Sequence, residues 1–365
     1  MKKINPRLLA LPLFILLATK LNELTVGKVR NSYALPSFPD LRLIVATDRI
    51  SIFDFILNLL ISLKGSVLTA MTIDWLLNVF ADIPNHLVAY GAAIDKYLPE
   101  ELRGNADLQS RGMIVLNLRM LPIEFVVRGY LGGSGWKSYQ ATREVCGILL
   151  PEGLTKGCKL STAIATPTTK SEDGHDKHLT FGEMLVILGA WLRENGINRD
   201  PKQLAQEAVD LSLKLYDRGS DYAKSKKIIL FDTKFEFGLN ANNELVAADE
   251  ILTPDSSRFI EEEKYNAAMA AGTNLETSDK EYVRAIGAKV PTPFFYEKGE
   301  HKGEQIIGID NLDPENEAHV NWVSELEWPE ETVEETTNIY LKICGQMLGK
   351  PLVQFQREDM FISVN

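Results

Sequence analysis

A chain of 365 residues is long enough to bury one large or two medium cores, and its 45% hydrophobic and 24% charged content is ordinary for a soluble globular protein. The formal net charge of −11 argues against a general nucleic-acid binder, so any anion must be held by a local basic pocket. Three cysteines, Cys146, Cys158 and Cys344, odd in number and without CxxC spacing, fit a reducing compartment and no structural zinc site.

The chain opens with a basic start and an apolar run from Leu8 to Ala18, the outline of a secretory signal. The run is too short to span a bilayer, Pro12 interrupts it, and no small-x-small cleavage site follows. We therefore expect a packed N-terminal segment or a mis-set start, with a cytosolic chain after Thr19 and no membrane span. Leu41–Asp48 is a short β-branched run and reads as a strand. Val67–Phe80 carries apolar residues at helical spacing, and Asp82–Gly91 reads as a turn into a short strand. Two further strands, Met113–Asn117 and Ile123–Val127, are joined across Pro122. The stretch from Leu150 to Thr180, rich in Gly, Pro, Ser and Thr, reads as a long loop, either a solvated linker or a mobile substrate loop.

Two helices are expected next. Phe181–Asn195 opens after Thr180 with Glu183 three residues on, and Pro201–Lys224 carries Leu204, Ala208, Leu211 and Leu215 on one stripe. Ile228–Gly238 and Glu244–Leu252 then form a hairpin across an Asn-rich turn. The tail from Phe259, acidic and with a helix near Val333–Leu348, reads as a decoration on a core ending near Arg258.

Five stretches carry chemistry. In "IILFDTKFEFG" the strand period puts Asp232, Lys234 and Glu236 on one face, and the partner strand adds Asp249 and Glu250. Charges buried without partners cost several kcal/mol each, so this face meets solvent, itself or a charged ligand. It suits nucleotide phosphates with Mg²⁺, which takes one or two carboxylates plus phosphate oxygens; a salt-bridged solvent face is the alternative. "VGKVRNSYAL" sets Lys28 and Arg30 after Gly27 in a hairpin, without GxGxxG or Walker A spacing. "RGYLGGSGWKSY" ends a strand on Arg128 and presents Ser134 from a Gly-rich turn, a carboxylate or phosphate site. "LTPDSSRF" offers Ser257 and Arg258 for a phosphate, or a helix cap. In "SEDGHDKH", His175 and His178 lack a third ligand at metal spacing, which favours polar contacts to a small charged substrate.

Together, "LPIEFVVRGYLGGS" and "LFDTKFEFG" resemble the two signature segments of the phosphoribosylaminoimidazole-succinocarboxamide synthase (SAICAR synthetase) family. "GKVRNSY", "VATDRISIFD", "NHLV", "TPTTKSEDGHD" and "ADEILTPDSSRF" also resemble it, in order, over roughly residues 22 to 260. "SDKEYVRAIG" and the Val333–Leu348 helix are weaker echoes of longer members. The resemblance implies an α+β fold in two lobes, similar to ATP-grasp enzymes and protein kinases, with antiparallel sheets and ATP in the cleft between lobes. It implies an ATP-binding lobe over 21–120, a substrate and metal lobe over 121–260, and a C-terminal extension over 261–365 whose terminal helix packs on the core; the apolar segment over 1–20 lies outside the resemblance and has no assigned role. The reaction implied joins L-aspartate to the carboxyaminoimidazole ribonucleotide CAIR, with ATP and Mg²⁺. Gly27, Lys28 and Arg30 would hold the triphosphate and Met120 the hinge against adenine. Lys234 would lie beside the phosphates, and Glu236 and Asp249 would hold Mg²⁺. Arg128, Ser134, Ser257 and Arg258 would bind CAIR, with Asp176 ordering the substrates. Asn31 stands where the family usually has an acid, Gly132 where it often has a larger residue, and about 285–328 lies outside the resemblance. A kinase or related ligase with another acceptor is the rival enzyme reading, and a non-catalytic nucleotide-binding protein is a third. The sequence leaves a homo-oligomer open.

Overall fold

The computed structural model describes residues 12–170, 177–273, 275 and 277–363. Its first half is strand-forming. β1 (Glu23–Val26), β2 (Arg30–Ala34), β3 (Leu41–Ala46), β6 (Leu87–Tyr90) and β7 (Gly112–Leu116) make an antiparallel sheet in the order β1-β2-β3-β7-β6, while β4 (Arg49–Ile52) and β5 (Phe55–Leu60) pair as a separate hairpin. The apolar N-terminal run becomes helix α1 (Pro12–Lys20), whose Leu13, Phe14 and Leu17 are buried with Tyr33, Leu43 and Val45 of the sheet. Burial of such a face is what makes a short helix stable in water. α2 (Lys64–Asp74) starts before the expected Val67 and continues as one π-helical turn through Val79. All 11 residues of α2 are buried, so no polar face marks its limits.

The second sheet is organised around one long strand. β13 (Ile228–Leu239) pairs along its first half with β9 (Ile123–Tyr130) and β15 (Ser257–Glu261), and along its second half with β8 (Arg119–Met120) and β14 (Leu245–Ala248). β12 (Lys159–Thr169) closes the edge beside β9, and β10 (Glu144–Val145) and β11 (Ile148–Leu149) form a small hairpin. β12 corrects the expected loop. Its Thr and Ile side chains favour a pleated surface, and Pro167 is tolerated because the strand lies at an edge. Short helices α3 (Ala106–Arg111) and α4 (Gly133–Thr142) precede α5 (Phe181–Glu194), which has the expected capping box of Thr180 and Glu183. α6 (Pro201–Ser225) packs its Leu204, Ala208 and Leu215 into the core with Phe125 and Phe235 of the sheet.

The core does not end near Arg258. After α7 (Glu262–Ala271) and α8 (Glu281–Gly287) come the hairpin β16 (Pro291–Phe295) and β17 (Gln305–Ile307), then α9 (Glu317–Glu325), α10 (Glu330–Leu348) and α11 (Leu352–Glu358). Ile306, Ile309, Leu312 and Val323 bury the apolar face of the β4–β5 hairpin, Ile52, Phe55, Leu57 and Leu59. Tyr340, Ile343 and Met347 of α10 join the main core with Val67, Met71 and Trp75. A two-stranded hairpin with an apolar face is marginal alone, so the tail supplies the layer that β4–β5 needs.

Candidate active site

β13 lines a cleft of about 1930 Å³ that opens between the two sheets. The strand's period decides what it shows there. Asp232, Lys234 and Glu236 all face the cleft, with Val127, Phe125 and other apolar neighbours behind them.

At the Asp232 position two arginines converge. A bulge in the pairing with β15 lies between Leu230 and Asp232, and beyond it Asp232 stands opposite both Arg128 and Arg258. Asp232 Oδ1 accepts from Arg258 Nε at 2.8 Å, and Oδ2 accepts from Arg128 at 3.1 Å and from Arg258 again. Burial opposes the charge of Asp232, but the two guanidiniums outweigh it and hold the carboxyl below its usual range. Arg128 also donates to Thr166 Oγ1 at 3.0 Å and Ser134 Oγ at 2.9 Å. The Gly-rich turn makes room for this pair. Gly133 has φ +54°, and a Cβ there would stand 2.9 Å from the Arg258 guanidinium. At Gly132 a Cβ would meet the Phe231 ring at 2.6 Å, and Phe231 lies 4.9 Å under Arg258, so the ring fills the space beside this glycine. Ser257 shares a hydrogen bond of 2.7 Å with Thr233 beside them.

One step along β13, Lys234 Nζ donates to Glu124 Oε1 at 2.6 Å and lies 3.4 Å from Glu236 Oε1. Burial opposes its charge, but Glu236 and Glu124 together hold it protonated well above the usual lysine value. Glu236 pairs with Lys170 through its other oxygen. β14 stops at Ala248, and Asp249 then turns out at φ +56° to meet Arg30 at 2.5 Å, while Glu250 meets the same guanidinium at 2.8 Å. Burial works against Asp249 too, yet Arg30, Lys170 and Lys234 pull its pKa far below the usual range.

Farther along, Met120 stands opposite Gly238 and lines the cleft beside Ile44, Val115, Leu118 and Val126. Gly27 sits above, in the β1–β2 turn, donating to Arg30 O at 2.7 Å; a Cβ there would come within 2.8 Å of that oxygen. Lys28 pairs with Asp54 at the tip of the β4–β5 hairpin. Arg49 is wholly buried and fastens this turn, donating to the carbonyls of Gly27 at 2.9 Å and Lys28 at 3.2 Å and to Asn31 Oδ1 at 2.6 Å. Burial pushes its pKa down to about 10.

A model of SAICAR synthetase matches residues 23–294. The phosphoribosylaminoimidazole-succinocarboxamide synthase of Leptothrix cholodnii is 42% identical over 74% of this chain and 84% of its own. The chain belongs to the SAICAR synthetase family. It is accordingly a ligase of purine biosynthesis. The SAICAR synthase of Saccharomyces cerevisiae, solved with SAICAR, is 30% identical with a TM-score of 0.69, and the match covers 91% of this chain and 96% of that one. A SAICAR synthetase solved with ADP shares the fold at 18% identity and a TM-score of 0.53, covering 90% of this chain and 98% of that one.

In this SAICAR synthetase cleft all the sequence-derived candidates among the described residues meet; Asp176, with His175, lies outside the described residues. His178 faces serines, with Nε2 3.1 Å from Ser134 Oγ and Nδ1 3.3 Å from Ser138 Oγ. No cluster of three His, Cys, Asp or Glu residues suited to a metal occurs among the described residues. Burial pushes Cys146 up to about 11 and Cys344 up to about 12, so both are thiols at neutral pH and bystanders to the chemistry. Among the described residues no helix is long and apolar enough to cross a membrane.

Several groups escaped the sequence reading. Lys170 was hidden in a segment taken for loop, and Asp54 in a hairpin tip. Glu124 had a usable signal, since it is a lone carboxylate within an apolar strand. Arg49 had none, because its partners are mostly carbonyls of a distant turn.

Proposed function

We propose that the chain joins L-aspartate to the carboxylate of CAIR, converting ATP to ADP and phosphate and releasing SAICAR, through an acyl phosphate. The observation that carries this reading is the order of groups along β13. Two arginines gather at Asp232, a lysine–carboxylate cluster follows at Lys234 and Glu236, and an apolar wall begins at Met120 opposite Gly238. At about 3.3 Å per residue the six steps from Asp232 to Gly238 measure about 20 Å, room for two phosphorylated ligands end to end.

The base of ATP fits the wall beside Met120, with its phosphates reaching Gly27, Lys28 and Lys234. CAIR fits the other end, its anionic groups on Arg128, Arg258, Ser134 and Ser257. A carboxylate resists an amine because oxide is a poor leaving group. An oxygen of the CAIR carboxylate therefore attacks the terminal phosphorus and ADP departs. The aspartate amine then attacks the acyl carbon, phosphate leaves with the C–O bond, and the amine loses a proton. No side chain need act as nucleophile; the residues position anions and offset their repulsion.

Glu236 and Asp249 fit Mg²⁺. Both are acidic oxygen donors on one wall, both lie in the field of Lys170 and Lys234, and Mg²⁺ takes such a pair with phosphate oxygens. When bound, the ion would neutralise charge on the phosphates. Arg30, which pairs with Asp249 and Glu250, holds the metal-side acids rather than standing free for phosphate.

The purified protein should release ADP in steady turnover only when CAIR and aspartate are both present. ADP release with another hydroxyl or amine acceptor in place of aspartate would instead establish the kinase-like reading. Arg258→Ala should raise KM for CAIR by about tenfold or more while KM for ATP moves less than threefold, since one charge-assisted anchor is lost at the CAIR end only. The opposite ranking in steady-state kinetics removes Arg258 from that end.

A further inference from the structure

Behind the cleft wall lies a buried triad contributed by three distant parts of the chain. Lys64 Nζ, at the start of α2, meets Asp255 Oδ2 at 2.6 Å, and Tyr340 OH, in the middle of α10, donates to Asp255 Oδ1 at 2.6 Å. Lys64 and Tyr340 are both 0% exposed and line no part of the cleft, whereas Asp255 is 8% exposed and does. We infer that Tyr340 is a positioning residue for the substrate loop Thr253–Arg258: with Lys64 it fixes Asp255, and through Asp255 it sets where Ser257 and Arg258 stand.

Ser257 and Arg258 open β15 and pair with Thr233 and Asp232, and Trp75 Nε1 donates to Leu252 O at 3.0 Å before the turn; the turn Thr253–Ser256 between them is what Asp255 anchors. Ser256 N and Ser257 N donate to Thr253 O at 3.2 and 2.9 Å, which only closes the turn on itself, and Lys234 N donates to Ser256 O at 3.0 Å, which ties it to β13. On the side away from β13 the turn is held through Asp255, both of whose oxygens are taken. Burial opposes the Asp255 charge, but Lys64 and Lys280 overcome it and bring the carboxyl down to about 2, so the anchor is ionised throughout the neutral range. A merely packed wall would be made more simply from apolar side chains, because a buried ion pair is weak as a source of stability and useful for fixing register. Here the register matters: three residues on from Asp255, Arg258 must reach Asp232 and share it with Arg128. Tyr340 lies outside residues 23–294, the part matched by the family model, and it reaches Asp255 because α10 packs into the main core through Ile343, Cys344 and Met347. Helix α10 is thus a support of the CAIR end of the cleft.

The inference rests on the assignment of Arg258 to CAIR, and the two can fail separately. Tyr340→Phe keeps the ring and removes only the hydroxyl. It should raise KM for CAIR by about tenfold, the scale of one hydrogen bond to a charged group, with KM for ATP within twofold and kcat within threefold. A loss of folded protein would lower kcat and Tm together and leave both KM values alone, so that result overturns the positioning role. Lys64→Met in the full chain is the second arm and should shift the same KM. Arg258→Ala, measured in parallel, reports on the assignment itself. If it shifts KM for ATP rather than CAIR, the assignment fails, and Tyr340→Phe should then shift KM for ATP as well. If Arg258→Ala shifts CAIR and neither triad variant does, the triad is structural only and the inference is wrong.

Discussion

Glu236→Gln should lower turnover by about 10²–10³ while leaving the fold in place, the scale seen when one charge-stabilising group is removed from a preorganised site. The side chain keeps its length and its place on β13. The change removes a charge that Lys170 and Lys234 both use. Lys234 retains Glu124 at 2.6 Å, so no lysine in the strand is stranded without an acid, and the thermal midpoint should fall by only a few degrees. The loss should depend on Mg²⁺: raising the ion concentration should recover part of the rate, because a weakened site is filled by mass action. Near-normal turnover, or a loss that no Mg²⁺ concentration alters, would remove Glu236 from the metal site.

The legible part of this site was the part written in one strand. Period-two alternation in Ile228–Gly238 is enough to place Asp232, Lys234 and Glu236 on a common face, and the structure puts that face on the cleft. Roles within the face were not legible. Asp232 reads as one more acid, and only the bulge after Leu230 and the convergence of Arg128 and Arg258 make it the counter-ion of a guanidinium pair. Asp249 reads as a strand residue, whereas a left-handed turn at φ +56° carries it off the end of β14 toward Arg30. β12 was lost because Pro and Thr at an exposed edge look like a linker when no partner strand is in view. Tyr340 was beyond reach for a different reason. Its phenol meets a carboxylate 85 residues away, and nothing in an amphipathic helix pattern says which core residue bonds to what.

Asp232→Asn should be the most destabilising polar substitution in the cleft, by about 3–5 kcal/mol, as when one partner of a buried ion pair is removed. Asp232 is 7% exposed and holds together two arginines whose charges oppose each other. Asn keeps the shape and one acceptor oxygen but none of the charge, so both guanidiniums lose their common anion. Arg128 retains Thr166 and Ser134, which are neutral, and Arg258 retains the face of Phe231. The same reasoning predicts a rescue. If these two arginines form the anion end of the cleft, inorganic phosphate should raise the thermal midpoint of Asp232→Asn far more than that of the unsubstituted protein, because it restores a charge the variant lacks and the parent already has. Chloride at matched ionic strength controls for screening and should give only a small shift. Equal phosphate responses in the two proteins would mean that the guanidinium pair does not receive an anion, and the CAIR end of the cleft would have to lie elsewhere.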